Sequence, residues 1–363
     1  MRVVIDARES GTSTGRYVDK LIEYLHKLKP EFEIIILTKP QRVSYIKAAA
    51  PSFEVIESNF KEFTFSEQIG FLGQLRDLKA DLVHFAHAQQ PVLYRGRVVT
   101  TVHDLTTARF RNPVKNGLVF SAKQVVYKWL IKYTARKSVK LIVPSEFIKK
   151  DVTQYARISP SKIIVTHEAA DKISAASTPT IKLINLVFLL YVGRPMTHKN
   201  LKRLAEAFSI AQQAHPGLKL VLAGKKDVLY ERLANWAEKE HIEGLVFPGF
   251  VSEGELRWLY EHTAAYVFPS LSEGFGLPGL EAMSHGTPLI SSNATCLPEI
   301  YGNAAHYFNP TSVLDMANKI NEVLDHPKLR YKLTQAGKQQ VKKYSWRQMA
   351  EQTLAVYREV LSR

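Results

Sequence analysis

Cysteine is almost missing from this chain: the lone Cys296 excludes an intrachain disulfide and a cysteine-rich zinc site. Long apolar runs are missing as well. The longest, over 186–192, is far too short to cross a bilayer. Met1-Arg2 runs straight into Val3-Val4-Ile5-Asp6, which reads as a first strand and not as a signal peptide. No Gly-x-Gly-x-x-Gly follows that strand; Gly11 and Gly15 have the wrong spacing, which argues against a nicotinamide dehydrogenase. No Asp-x-Asp stands at a strand end, so no metal site is expected, and an anionic ligand has to be met by the protein's own cations. The expectation is a soluble, cytoplasmic chain.

Acid is missing locally. The formal charge is +15, and nine Lys or Arg fall between Arg109 and Lys140 without one carboxylate. Lys123, Lys128, Lys132 and Arg136 recur every four or five residues, with Val125, Val126, Trp129, Leu130 and Tyr133 among them, which predicts a basic amphipathic helix over 119–140. Two readings stay open: a surface helix docked by its apolar face with its lysines solvated, or one resting on an anionic membrane surface or a lipid-phosphate acceptor, at the inner face of the membrane. Against nucleic acid stands the lack of any nucleic-acid motif.

What is present is ordinary in amount and informative in order. With 363 residues, 45% apolar and 23% charged, the chain has room for two globular domains. Short apolar β-prone runs alternate with helix-forming segments along both halves, the pattern of an α/β chain with parallel, doubly wound sheets. Residues 170–180 turn Ala/Ser/Thr/Pro-rich and are the best linker. The expected domains are 1–172 and 173–345, with a terminal helix over 346–363 available to pack back on the first. Loops at the carboxyl ends of both sheets would then face one central cleft.

The densest signal is Ser272-Glu273-Gly274-Phe275-Gly276-Leu277-Pro278-Gly279-Leu280-Glu281-Ala282. An apolar strand precedes it and a helix follows, with Pro278 suited to the first helical position. Free amides at such a helix start seat phosphate; Glu273 and Glu281 would repel phosphate and suit sugar hydroxyls instead. A nucleotide sugar satisfies both. At the end of a second strand, Arg194 and Lys199 stand five apart and could clamp a diphosphate, Arg as a planar fork and Lys as a point charge. His103-Asp104 ends a β-branched run, where a satisfied structural histidine is the plainer alternative to an active-site one.

These pieces resemble retaining glycosyltransferases of family 4, the GT-B family known as glycosyl transferases group 1. The likeness rests on Glu273-x7-Glu281 with its Gly-Phe-Gly-Leu-Pro filling, on Gly193-Arg194…Lys199-Asn200, on Thr101-Val102-His103-Asp104-Leu105, on Val143-Pro144-Ser145-Glu146-Phe147 and on Pro298-Glu299-Ile300-Tyr301-Gly302, and it runs from Gly15-Arg16-Tyr17 to Trp346. It implies that Arg194 and Lys199 neutralise the donor diphosphate. Amides of the loop Gly274, Phe275, Gly276 and Leu277 would bind phosphate or sugar hydroxyls. Glu281 would hold the ribose and Glu273 the transferred sugar. Gly15 would let the first loop approach the diphosphate, His103 would lie near the anomeric carbon, and Asp104 would orient it, accept from a sugar hydroxyl or cap its loop. No cofactor is implied beyond the co-substrate, GDP-mannose or a UDP-sugar. The acceptor would be a glycan or lipid-linked hydroxyl in envelope polysaccharide synthesis, with mannose favoured. A nucleotide-sugar epimerase of the same shape and a non-catalytic basic binding protein are the rival readings. The loop Glu9–Gly15 lacks the family's usual paired glycines, and Glu168-Ala169-Ala170-Asp171 replaces its commoner Asn-Gly-Val-Asp.

Overall fold

Runs such as Leu82–Phe85, Val98–Thr101 and Ala265–Phe268 carry no polar alternation, and each is buried along its whole length. That is what a parallel strand covered on both faces requires. The computed structural model describes residues 1–362 except 13, 63 and 111–116; for 117–123 and 181 it describes the backbone only.

The first sheet is β1 (Arg2–Asp6), β2 (Glu33–Thr38), β3 (Glu54–Glu57), β4 (Leu82–Phe85), β5 (Val98–Thr101), β6 (Lys140–Val143) and β7 (Ile163–Val165). Its order is β3-β2-β1-β4-β5-β6-β7, parallel throughout. The second is β8 (Phe188–Val192), β9 (Lys219–Ala223), β10 (Leu245–Gly249), β11 (Ala265–Phe268), β12 (Leu289–Ser292) and β13 (Ala305–Phe308), ordered β10-β9-β8-β11-β12-β13 and again parallel. Both are Rossmann-like α/β sheets. In each, strand order reverses once, between β1 and β4 and between β8 and β11.

The chain divides into two compact units. One takes Met1–Ala108, Ser121–Glu168 and the tail from Ser345; the other takes Ala169–Tyr344 together with Arg109, Phe110 and the helix start over 117–120. The tail helix Trp346–Leu361 lies in the first unit, where Tyr357 meets His84 across 2.5 Å and Arg358 holds both oxygens of Glu31.

The helix Gly117–Lys137 departs from expectation. Its buried stripe is Leu130, Ile131, Thr134 and Ala135, whereas Val125, Val126 and Trp129 face outward. The lysines are spaced around an outward face that is itself apolar, so spacing alone assigned three of the five apolar residues to the wrong side. Lys140 lies in β6 and not in the helix. Four elements carry little sequence signal: β3, the π turn Glu67–Phe71, the helix Leu72–Asp77, and the helix Pro327–Val341, whose buried residues are only Leu333, Gly337 and Gln340.

Candidate active site

In open parallel sheets, ligands sit beyond the carboxyl ends of strands where the order reverses. In the second unit that point lies between β8 and β11, and the two loops singled out above leave from these two strands. After β8, Gly193 takes φ +143, and its added Cβ would come within 2.9 Å of the Tyr191 hydroxyl. A tight turn over Thr197–Lys199 follows, ending at Asn200 in the left-handed region. Asn200 is buried, and its amide donates to the carbonyls of Pro269 and Pro310. Leu271 N–H donates to His198 O across 2.8 Å. The first loop is thereby pinned to the second, and Lys199 Nζ comes 2.6 Å from Glu273 Oε1, both side chains largely buried.

The glycine loop is shaped by one tyrosine. Tyr301 is fully buried and donates its hydroxyl to Gly276 O; a Cβ on Gly276 or on Gly279 would stand 2.4 Å from that hydroxyl. Gly276 also takes φ +94. The helix Leu277–Ser284 starts there with no side chain capping its first amides, and Pro278 is its second residue, not its first. Phe275 is buried edge-on to Tyr344. Glu273 N–H donates to Thr295 Oγ1, and the Cys296 thiol donates to the Glu273 carbonyl. Glu281, in the second turn of the helix, accepts from the Tyr260 hydroxyl at 3.3 Å.

Arg194 stands apart from the Lys199–Glu273 pair. More than half exposed, it bonds Asp227 at 2.5 Å. Asp227 also caps the helix Val228–Lys239 through the amides of Leu229 and Tyr230. Burial raises its pKa, but the Arg194 hydrogen bond and charge and those amides together more than offset this, leaving it below the usual range. The residue was legible as an N-cap, since an Asp precedes an apolar helical run.

In the first unit, His103 follows β5 and has both ring nitrogens engaged, Nδ1 with Glu168 Oε1 at 3.2 Å and Nε2 with the Ala86 carbonyl at 3.0 Å. Two acceptors require two N–H donors, which is the imidazolium. Burial alone would lower its pKa, but Glu168 and the Ala86 carbonyl raise it. Tyr17 packs edge-on to the ring, and its hydroxyl meets Thr101, which also bonds His84. Asp104 accepts from Thr106 N–H at 2.7 Å, the loop-capping role. Gly15 has a reason unlike the one anticipated: a Cβ there would lie 1.9 Å from the Glu9 carbonyl, so the chain's own turn demands glycine.

The reversal point of this first sheet holds a cavity of about 250 Å³, lined by Glu9, Thr14, Glu62, His87, Gln89 and Tyr127 among others. Beneath it Arg8 is buried between Asp6 and Glu67. Lys39 pairs with Glu62 at 2.8 Å. Burial and then the Glu62 charge push Glu9 up. His87 lies 5.1 Å from the His103 ring; burial first, and then that cation, hold it well below its ordinary value and so neutral. Its Nε2 is out of solvent with no hydrogen-bond partner among the described residues. Glu168 and His87 were missed, although each stands just beyond the carboxyl end of a strand, the same signal that selected His103.

Residues 14–172 match Glycosyltransferase Family 4, and residues 179–340 match Glycosyl transferases group 1. The chain belongs to this glycosyltransferase family and has its GT-B fold. It is 28% identical over 301 residues to O-antigen chain mannosyltransferase B of Escherichia coli, covering 78% of this chain and 76% of that one. It is 29% identical over 300 residues to a glycogen synthase of Mycobacterium tuberculosis, covering 79% and 70%. Among solved structures, Anabaena HepE in complex with UDP-glucose superposes with a TM-score of 0.76 at 14% identity, over 99% of each chain.

Proposed function

We propose that this chain is a retaining hexosyltransferase that moves mannose from a nucleotide diphosphate sugar, GDP-mannose before a UDP-sugar, to a hydroxyl of a glycan or lipid-linked acceptor in envelope polysaccharide synthesis. The observation that carries the reading is the Lys199–Glu273 pair at the reversal point of the second sheet, beside an uncapped helix start. An ammonium and free amides suit a leaving diphosphate, and a carboxylate suits sugar hydroxyls. The O-antigen relative supports mannose.

In the proposed reaction the bond from the anomeric carbon to the phosphate oxygen breaks, and its electron pair stays on that oxygen. The acceptor oxygen bonds the same carbon from the same face, and its proton passes to the departing phosphate. Lys199, Arg194 and the amides at Gly276 and Leu277 hold the charge that develops there. Glu273 and Glu281 grip the transferred sugar and the ribose. His103 is a fixed donor and not a base, because both of its nitrogens are engaged. The cavity beside it, edged by Glu9 and by a Glu62 already paired to Lys39, suits an uncharged sugar terminus and disfavours a phosphorylated one.

Incubation with GDP-mannose and UDP-sugars, each with and without an oligomannose acceptor, tests this. Transfer with the donor's anomeric configuration, read by NMR and unchanged by EDTA, is the expected result. Lys199→Ala should lose about a hundred- to a thousand-fold in kcat while melting normally. Full turnover in that variant would overturn the diphosphate assignment.

A further inference from the structure

A capping aspartate needs one carboxylate oxygen, and Asp227 spends its second on a cation from another loop. Oδ1 accepts from the amides of Leu229 at 2.9 Å and Tyr230 at 3.3 Å, which is the whole of the cap. Oδ2 accepts from Arg194 Nε at 2.5 Å. An exposed ion pair adds little to the stability of a fold, and Arg194 is more than half exposed. Capping therefore explains Asp227 and leaves its bond to Arg194 unexplained.

The surroundings make Asp227 a rigid anchor. Tyr230, on the same helix, is buried and donates its hydroxyl to Gly193 O at 2.7 Å. Gly193 N–H donates to Ala223 O at 2.9 Å. A Cβ on Gly224 would come within 2.8 Å of Gly193 O and 2.6 Å of the Tyr230 hydroxyl. The ends of β8 and β9 and the start of the helix Val228–Lys239 are thus packed closely. The backbone before Arg194 and the carboxylate that meets its guanidinium belong to one block, and only the arginine side chain is left to be ordered.

Nε is engaged, whereas Nη1 and Nη2 have no hydrogen-bond partner among the described residues. A guanidinium held by Nε offers its other two nitrogens as the planar fork that two phosphate oxygens accept. Phosphate binding then leaves the pair intact, and the rotamer freedom of a long side chain is already given up.

We propose that Asp227 is a positioning residue for the donor: it holds Arg194 by Nε and keeps Nη1 and Nη2 available to the diphosphate. This rests on the reading of Arg194 as a diphosphate ligand, and the test separates the two.

In Asp227→Asn, Oδ1 can keep both amide bonds, because Asn caps a helix as well as Asp does. Its Nδ2 then faces Arg194 Nε–H, donor against donor, and the guanidinium is released. Isothermal titration of the full chain with GDP and with UDP reads the consequence. Asp227→Asn should bind its nucleoside diphosphate on the order of tenfold more weakly, with an unchanged melting curve. Asp227→Ser, which caps but is too short to reach Arg194, should match it. In an Arg194→Ala background Asp227→Asn should change nothing further. An equal loss in that background would assign the effect to the helix start and overturn the proposal. If Arg194→Ala weakens binding and Asp227→Asn does not, the positioning role falls while the diphosphate reading stands. If Arg194→Ala binds undiminished, or neither GDP nor UDP binds, both fall. Tighter binding by Asp227→Asn would also overturn the proposal, since Asp227 would then compete with phosphate for the guanidinium.

Discussion

At the scale of single residues, the site is a set of charges held by partners that spacing does not reveal. Lys199 reaches Glu273 only because Asn200 is locked to Pro269 and Pro310. His103 keeps its charge because Glu168 faces it. The folded-state pKa of His103 is raised, so its contribution to stability is complete below the unfolded imidazole value of about 6.5. It is lost as pH rises through the higher folded value. Glu168→Gln should remove that pH-dependent stability and move the His103 titration downward, since burial is then less opposed. NMR titration of the ring together with chemical denaturation at pH values either side of neutrality measures both. An unchanged titration would show that Glu168 does not hold the proton. Arg194, Lys199, Glu273, Glu281 and His103 were all legible as candidates from residue type and place at strand ends. Glu168, Asp227 and His87 were not singled out, although the same strand-end and helix-start signals were present.

At the scale of elements, the glycine loop shows why a motif's reason can differ from its use. Gly276 and Gly279 read as bare backbone for a ligand. Both are also required by Tyr301, which fills the space their side chains would take. Gly279→Ala should therefore cost about 1–3 kcal/mol in chemical denaturation, because the crowded tyrosine is fully buried. Gly73 is the contrast: it lies in a helix with nothing near its added Cβ, and Gly73→Ala should stabilise by about 0.5–1 kcal/mol. Similar costs at both positions would refute the account of Tyr301. Most strands were legible within a residue or two, since a buried parallel strand is apolar on both faces. β3 was not, because an edge strand with exposed glutamates at both ends has too little apolar sequence to stand out.

At the scale of the whole molecule, the chain builds two α/β units and returns its last helix to the first. Trp346, Met349, Ala350, Leu354, Tyr357 and Val360 are buried there. Removing them withdraws burial on the order of 10 kcal/mol, comparable to a domain's entire stability. Truncation before Ser345 should abolish or sharply lower one calorimetric transition and leave that of the second unit in place, along with its thermal shift on adding GDP-mannose. Uniform loss of both transitions would mean that the units do not melt separately.

Sequence by itself determined the α/β class, the place of nearly all strands along the chain and the residues worth testing, because these depend on local spacing and on which strand each loop follows. Only the tertiary structure decided which side of the basic helix is covered, which carboxylate meets which cation, and why particular glycines are needed. Those depend on atoms brought together from distant positions. Ile131 packs with Leu141, Val143 and Ile163 of the first sheet, while Trp129, two residues earlier on the same helix, stays half exposed.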